Sequence, residues 1–331
     1  MHKKYFWVAF LAALFISIGS FVYAQTPSNQ GVVNVSFDFA LIGDLPYDAE
    51  QEAKFPNIIK EINRSPLAFI VHDGDIKSGS TLCSDEMFGE RKALFQQFEH
   101  PFILVPGDNE WTDCHRQNNG SYDPIERLAK LREVFYQGNE TLGKRSLTLT
   151  RQSDNSQYRQ FRENVRWIYG DAMFAGLNIP GSNNNFGRSP EADAEYSQRN
   201  AANLAWMRES FALAKRNNNR GVMLIIQANP GFELEATNKD RTGYNDFLAA
   251  LQTETLGFLK PVVLVHGDSH YFRLDKPLLN SKNQRRIENF TRVETFGSPD
   301  AHWLRASVNP KDKNVFSFTQ EVIRENLVEH Q

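Results

Sequence analysis

Cysteine is nearly absent from this chain: Cys83 and Cys114 are the only two in 331 residues. Two thiolates without partner ligands at the usual spacing do not make a zinc site, so cysteine-based metal binding is not expected. A basic excess is lacking as well. Lys and Arg number 37 against 40 Asp and Glu, a formal charge of −3, which speaks against general nucleic-acid binding through a cationic face. After the first two dozen residues there is no long apolar run, so no later segment is expected to span a membrane. Internal repeats and low-complexity tracts are also missing, which leaves a solenoid or a polar array without support.

What is present is enough to build a core: 40% of the residues are hydrophobic and 12% aromatic, and the length suits one large or two ordinary domains. Met1–Ala24 reads as an export signal, with Lys3 and Lys4 ahead of the apolar stretch Phe6–Ile18 and Val22-Tyr23-Ala24 as a small-residue cleavage site. The alternative is an uncleaved anchor, but Ser17, Gly19 and Ser20 weaken it as a span. The expected organisation is therefore a signal over 1–24 and one domain over 25–331, periplasmic or secreted, with no stable membrane anchor after cleavage. Export also makes a Cys83–Cys114 disulfide the expected state of the pair, with two unrelated thiols as the alternative.

Beyond residue 30 the apolar runs have the length and composition of strands: Val35–Ile42, Leu67–Val71, Phe102–Val105, Met173–Leu177, Val222–Ile226 and Val262–Val265. Between them lie helical patterns. Ile125, Leu128, Leu131 and Phe135 follow the Asp123-Pro124 start, and Leu204, Met207, Phe211 and Ala214 precede a stop at Asn217–Gly221. Ser146–Arg166 reads as a hairpin insertion, and the segment from Ser307 on as a terminal strand and helix. Alternating strands and helices predict a layered α/β architecture.

Four segments stand directly after apolar runs: Ile42-Gly43-Asp44, His72-Asp73-Gly74-Asp75, Pro106-Gly107-Asp108-Asn109-Glu110 and His266-Gly267-Asp268-Ser269-His270. In layered α/β proteins the carboxyl ends of strands collect ligands. A single aspartate there is a turn or a cap. Four at equivalent positions predict a shared crevice, where bare carboxylates would repel one another and a divalent cation would remove the repulsion. The glycine beside each acid is expected to let the backbone turn sharply and approach the ligand.

In this order the segments resemble the calcineurin-like metallophosphoesterase superfamily, from about Val35 to Arg273. The resemblance implies a four-layer α/β/β/α sandwich, two mixed sheets flanked by helices, carrying a two-metal centre that hydrolyses phosphate esters with metal-activated water. Asp44-Leu45-Pro46 keeps the Asp of the first motif and has Pro46 for its His. Gly74-Asp75 matches the motif whose Asp bridges the metals. Gly107-Asp108-Asn109-Glu110 has Asp for the ligand Asn and Asn for the His; Asn229 stands at the mid-chain His; Gly267-Asp268-Ser269-His270 keeps the final His.

The implied ligand set is Asp44, Asp75, Asp108, Asn229, Asp268 and His270. It is richer in oxygen than the family pattern, which favours Mn²⁺, with Mg²⁺ or Ca²⁺ also suited, one or two ions per chain. Asn109 is the expected donor to the transferring phosphoryl group but has no proton to release. His72, His115 and His302 are weighed as the acid, the first two preferred; each also reads as a structural or solvated histidine. Lys77 and Arg273 are candidate phosphate binders, with a solvated lysine and a strand-end ion pair as their alternatives. Trp111 either stacks on a leaving group or packs in the core, and Asn183–Asn185 either line the substrate approach or face water. The expected partner is a small phosphate mono- or diester. The rival reading is an exported binding protein that keeps the fold without turnover.

Overall fold

The computed structural model describes Met1, His2 and residues 35–327. The expected signal, Met1–Ala24, therefore lies outside the described residues except for its first two. The strands are β1 (Phe37–Ile42), β2 (Ile70–His72), β3 (Phe102–Leu104), β4 (Thr150–Arg151), β5 (Val165–Tyr169), β6 (Ala172–Gly176), β7 (Gly221–Ile225), β8 (Val262–His266), β9 (Arg273–Asp275), β10 (Phe290–Glu294), β11 (Trp303–Val308) and β12 (Phe316–Glu321). They form a five-stranded sheet, ordered β12-β11-β1-β2-β3, and a seven-stranded sheet, ordered β4-β5-β6-β7-β8-β10-β9.

The helices are α1 (Ala49–Arg64), α2 (Asp85–Phe95), α3 (Pro124–Phe135), α4 (Pro190–Arg216) and α5 (Asn245–Phe258). Their starts follow from local chemistry. Asp48 caps α1 by accepting from Gln51 N at 2.9 Å, Asp123 caps α3 through Ile125 N with Pro124 next, and Ser189 caps α4 ahead of Pro190. In α1 the apolar side chains Phe55, Ile58, Ile59 and Ile62 lie on one buried stripe. The α3 stripe departs from expectation at one position, since Ile125 is exposed.

Alternation along the strands separates three apolar layers. Phe39 and Leu41 of β1, Phe174 of β6 and Val263 and Val265 of β8 meet between the sheets. Ala40 and Ile42 face the layer that holds Phe55, Phe88 and Leu131 of the first three helices, and Met173 and Leu224 face Met207, Phe211 and Leu251. The expected four-layer α/β/β/α sandwich is what is found. All six expected strands are present, within about three residues of their bounds. The hairpin closes with Thr150 opposite Arg166, and among the described residues the chain after β12 adds a short 3-10 turn, Arg324–Asn326.

β1 runs parallel to β2, and β2 to β3; β6, β7, β8 and β10 also run parallel in their sheet. This brings the carboxyl ends of neighbouring strands, and the loops that follow them, to one edge of each sheet. Among the described residues, no helix is long and apolar enough to cross a membrane.

Candidate metal centre

The loops after β2, β3 and β8 bring Asp75, Asp108 and Asp268 together, with one oxygen from each within 4.8 Å of the others. Asp44, from the loop after β1, joins them: its carboxylate accepts the Asp268 backbone N–H at 3.1 and 3.2 Å. Among the described residues, none of these four pairs with an arginine or lysine; the ion-pair contact found there is His270 Nε2 with Asp44 Oδ1 at 3.5 Å.

The backbone is bent by the ligands' own residues. Asp44, Asp75, Asp268 and His270 have φ of 50°, 56°, 76° and 57°, left-handed conformations that cost a non-glycine residue roughly 1–3 kcal/mol and recur at functional sites. Of the neighbouring glycines, Gly74 has φ of 113° and turns the chain as expected, whereas Gly43, Gly107 and Gly267 have no positive φ and instead leave space. A Cβ on Gly43 would overlap Asp73 Oδ1, one on Gly107 Asp75 Oδ1, and one on Gly267 Asp44 Oδ2. Each glycine makes room for a carboxylate of another loop.

Further side chains organise the cluster. The Tyr47 hydroxyl lies 3.0 Å from Asp75 Oδ2, 3.3 Å from Asp44 Oδ1 and 3.3 Å from His270 Nε2. Asn109 holds Asp75 twice, through its backbone N–H at 3.0 Å and its amide at 2.8 Å. The Ser182 hydroxyl lies 2.8 Å from both Asp108 Oδ2 and Asp113 Oδ1, carried there by the left-handed turn Gly181–Asn184. Gln227 and the Asn229 backbone N–H hold Asp268. Behind the cluster, Glu110 Oε1 accepts from Gly107 N and Asp75 N.

Charge in this crevice is unbalanced. Burial, followed by Asp108, raises Asp75 and Asp268 well above the usual carboxylate range; burial also raises Asp44 and takes Asp113 to about 7. Asp108 Oδ1 is buried without a hydrogen-bond partner. His270 Nδ1 meets the Ser298 carbonyl at 2.8 Å; a carbonyl only accepts, so Nδ1 carries a proton, and Nε2, beside Asp44, is the atom that would face a cation. Four carboxylates, one of them with an orphaned oxygen, and an oriented imidazole fit a hard divalent cation.

By fold the chain is similar to the structure of PhoD, with a TM-score of 0.55 and 12% identity over 85% of this chain. The calcineurin-like metallophosphoesterase fold is the fold of this chain. It spans 65% of the PhoD chain. TT1561 of Thermus thermophilus matches at TM-score 0.47 and 8% identity, over 88% of this chain and 100% of that one. The 5'-nucleotidase from Candida albicans matches at 0.42 and 11%, over 86% and 50%. No protein-family model and no curated protein matches the sequence.

Set on the calcineurin-like fold, the expected site residues divide. Asp44, Asp75, Asp108, Asp268, His270 and Asn109 are brought together. Asn229 adjoins them, but its side-chain amide turns to Ser269 Oγ at 2.7 Å. The other expected residues are engaged elsewhere. His72 is fully buried, with Nε2 on the Leu45 carbonyl and Nδ1 accepting from Gly74 N; burial pushes it down to about 4, so it is a neutral strut between the first two loops. His115 is exposed and meets the Thr112 carbonyl. The Lys77 amine is buried on Ser78 O and Asn119 Oδ1, because its loop folds inward. Arg273 pairs with Glu294 of the adjacent strand and contacts Glu233, the strand-end ion pair.

Cys83 and Cys114 form a disulfide, and both sulfurs lie within 3.7 Å of the Asn109 carbonyl oxygen. Trp111 is completely buried in the helix-side core. Of the polar run after β6, Asn183 and Asn184 bond to the Thr242–Gly243 segment, while Ser182 is the member that reaches a carboxylate. Sequence reasoning missed Tyr47, Ser182, Asp113 and Gln227. Only Tyr47 had a usable signal, three residues after the first-motif Asp44.

Proposed function

We propose that this chain is an exported, metal-dependent hydrolase of phosphate mono- or diesters. The observation that carries the reading is the convergence of Asp75, Asp108 and Asp268 within 4.8 Å with no cationic side chain to neutralise them among the described residues. Asp44, Asp75, Asp108, Asp268 and His270 would hold one or two divalent ions, Mn²⁺ preferred because one imidazole joins an oxygen set, with Mg²⁺ or Ca²⁺ also suited. Such ions would activate a water and offset charge on the phosphoryl oxygens.

The chain's own residues divide the remaining work. Asp75 touches both Tyr47 and Asn109 and converges with Asp108 and Asp268, which supports it as a ligand; the match of Gly74-Asp75 to the family motif would make it the one shared by two ions. The Asn109 amide spends its two N–H groups on Asp75 and Tyr47, so its part is to position Asp75, and the expected donation to a phosphoryl oxygen falls to another group. Export is supported by the composition of Met1–Ala24 and by the disulfide, which suits an oxidising compartment.

The test is hydrolysis of aryl phosphate mono- and diesters by purified protein with Mn²⁺, Mg²⁺, Ca²⁺ or Zn²⁺, alongside metal analysis. Turnover that depends on Mn²⁺ and vanishes in Asp75→Asn supports the reading. The rival, a binding protein without turnover, draws on Asn109, which cannot give a leaving oxygen its proton. Inert, metal-free protein unaffected by Asp75→Asn would favour it.

A further inference from the structure

We infer that Arg116 binds the phosphoryl oxygens of the ester substrate, occupying the role vacated by the imidazole that Asn109 replaces; this rests on the phosphoesterase reading above. Arg116 follows the 3-10 turn Thr112–His115. Its Nη1 lies 2.7 Å from Asp113 Oδ2, and the two side chains differ sharply in exposure, 44% for the arginine against 2% for the aspartate. A buried carboxylate thus anchors an arginine that is open to solvent.

The guanidinium borders the cluster from two sides. Nη2 is 3.5 Å from Ser182 Oγ, and that hydroxyl is 2.8 Å from Asp108 Oδ2. On the other side is Gly79. A Cβ there would stand 2.9 Å from Asn109 Oδ1 and 3.4 Å from Arg116 Nη1, so the carboxamide and the guanidinium edge the same gap. The Asn109 amide in turn holds Asp75 at 2.8 Å. Arg116 is therefore one side chain, Ser182, removed from Asp108, and lies across the Gly79 gap from the amide that holds Asp75.

Other cations near these loops are spoken for. Lys77 is buried on Ser78 and Asn119, Arg273 is held by Glu294, and Arg188 donates to Asn185 Oδ1 at 2.7 Å. The planar guanidinium can keep Asp113 and still present N–H groups in a fork that matches two phosphoryl oxygens. A guanidinium in this role only donates hydrogen bonds and moves no proton. Its part is to hold negative charge that a crevice of carboxylates would otherwise repel.

The experiment compares Mn²⁺-loaded wild type with Arg116→Ala, Arg116→Lys and the double variant Arg116→Ala/Asp113→Asn, which leaves no carboxylate stranded at position 113. Readouts are kcat and KM on an aryl phosphate monoester, inhibition by inorganic phosphate, and bound metal. Arg116→Ala and the double variant should lose about 100-fold in kcat/KM and about tenfold in phosphate inhibition, with metal content unchanged and Arg116→Lys in between. An active wild type whose double variant keeps both constants overturns the inference. So does loss of metal in parallel with activity, which would make Arg116 a structural prop. A wild type without turnover under any metal instead defeats the phosphoesterase reading itself, before any variant is compared.

Discussion

The space beside Gly107 belongs to Asp75: a Cβ on that glycine would overlap Asp75 Oδ1 and stand 2.5 Å from the Asp75 backbone nitrogen. The two residues come from different loops, and Glu110 Oε1 ties both their backbone N–H groups. Gly107→Ala should therefore cost about 1–3 kcal/mol through overpacking and weaken Mn²⁺ binding by displacing Asp75. Gly89 in α2 has open space around it, and Gly89→Ala should be neutral or stabilising by about 0.5–1 kcal/mol. Urea denaturation of both variants checks the contrast.

Tyr47 places one hydroxyl among Asp44, Asp75, His270 and Asn109. Tyr47→Phe keeps the ring and removes hydrogen bonds to charged groups, each worth about 1.5–3 kcal/mol. Calorimetric titration with Mn²⁺ should show affinity down by about tenfold or more, and the thermal midpoint of the metal-free protein should fall as well. Undiminished affinity would remove Tyr47 from the site.

His72 carries a pH dependence of known sign. Its folded value is about 4, below the ordinary 6.5, so the unfolded chain binds a proton first as pH falls. Its contribution is whole above pH 6.5, is lost as pH drops from 6.5 towards 4, and amounts to about 3 kcal/mol. His72→Gln does not titrate. Its stability should fall less than that of wild type between pH 7 and pH 4.5, by denaturant titration at each pH; parallel losses would contradict the assignment of His72 as a neutral strut.

The disulfide closes a loop of 31 residues directly against the Asn109 carbonyl. Replacing both cysteines by serine should cost about 3–4 kcal/mol on loop-closure grounds. It should also raise KM for an aryl phosphate, because the loops of Asn109 and Lys77 lose their tie. A stability loss with unchanged KM would confine the bridge to a structural role.

The strands that carry the carboxylates were legible because each is an apolar run broken by glycine and aspartate, and parallel topology puts such breaks on one rim. The rest needed three dimensions. Tyr47 and Ser182 reach the cluster through left-handed backbone at Asp44 and at Ser182 itself, which no periodicity announces. Asp113 reads as an ordinary polar residue until Ser182 and Arg116 are placed beside it. The first helix had a signal, Asp48 ahead of Phe55, Ile58, Ile59 and Ile62, interrupted by Pro56. The strand β12 was faint because none of its positions is buried, and β11 because Arg305 and Ser307 interrupt its buried residues Trp303, Leu304, Ala306 and Val308. Arg273 and Lys77 show the converse, since a cation near a motif in sequence points wherever its nearest carboxylate or carbonyl lies.

Thermal melting of EDTA-stripped protein, repeated with Mn²⁺ at about 100 times its dissociation constant, tests the central claim most directly. Binding to the native state alone should add about 2.7 kcal/mol and raise the midpoint in wild type, and should leave Asp75→Asn unmoved. Identical melting of wild type with and without Mn²⁺, Mg²⁺ or Ca²⁺ would contradict the account.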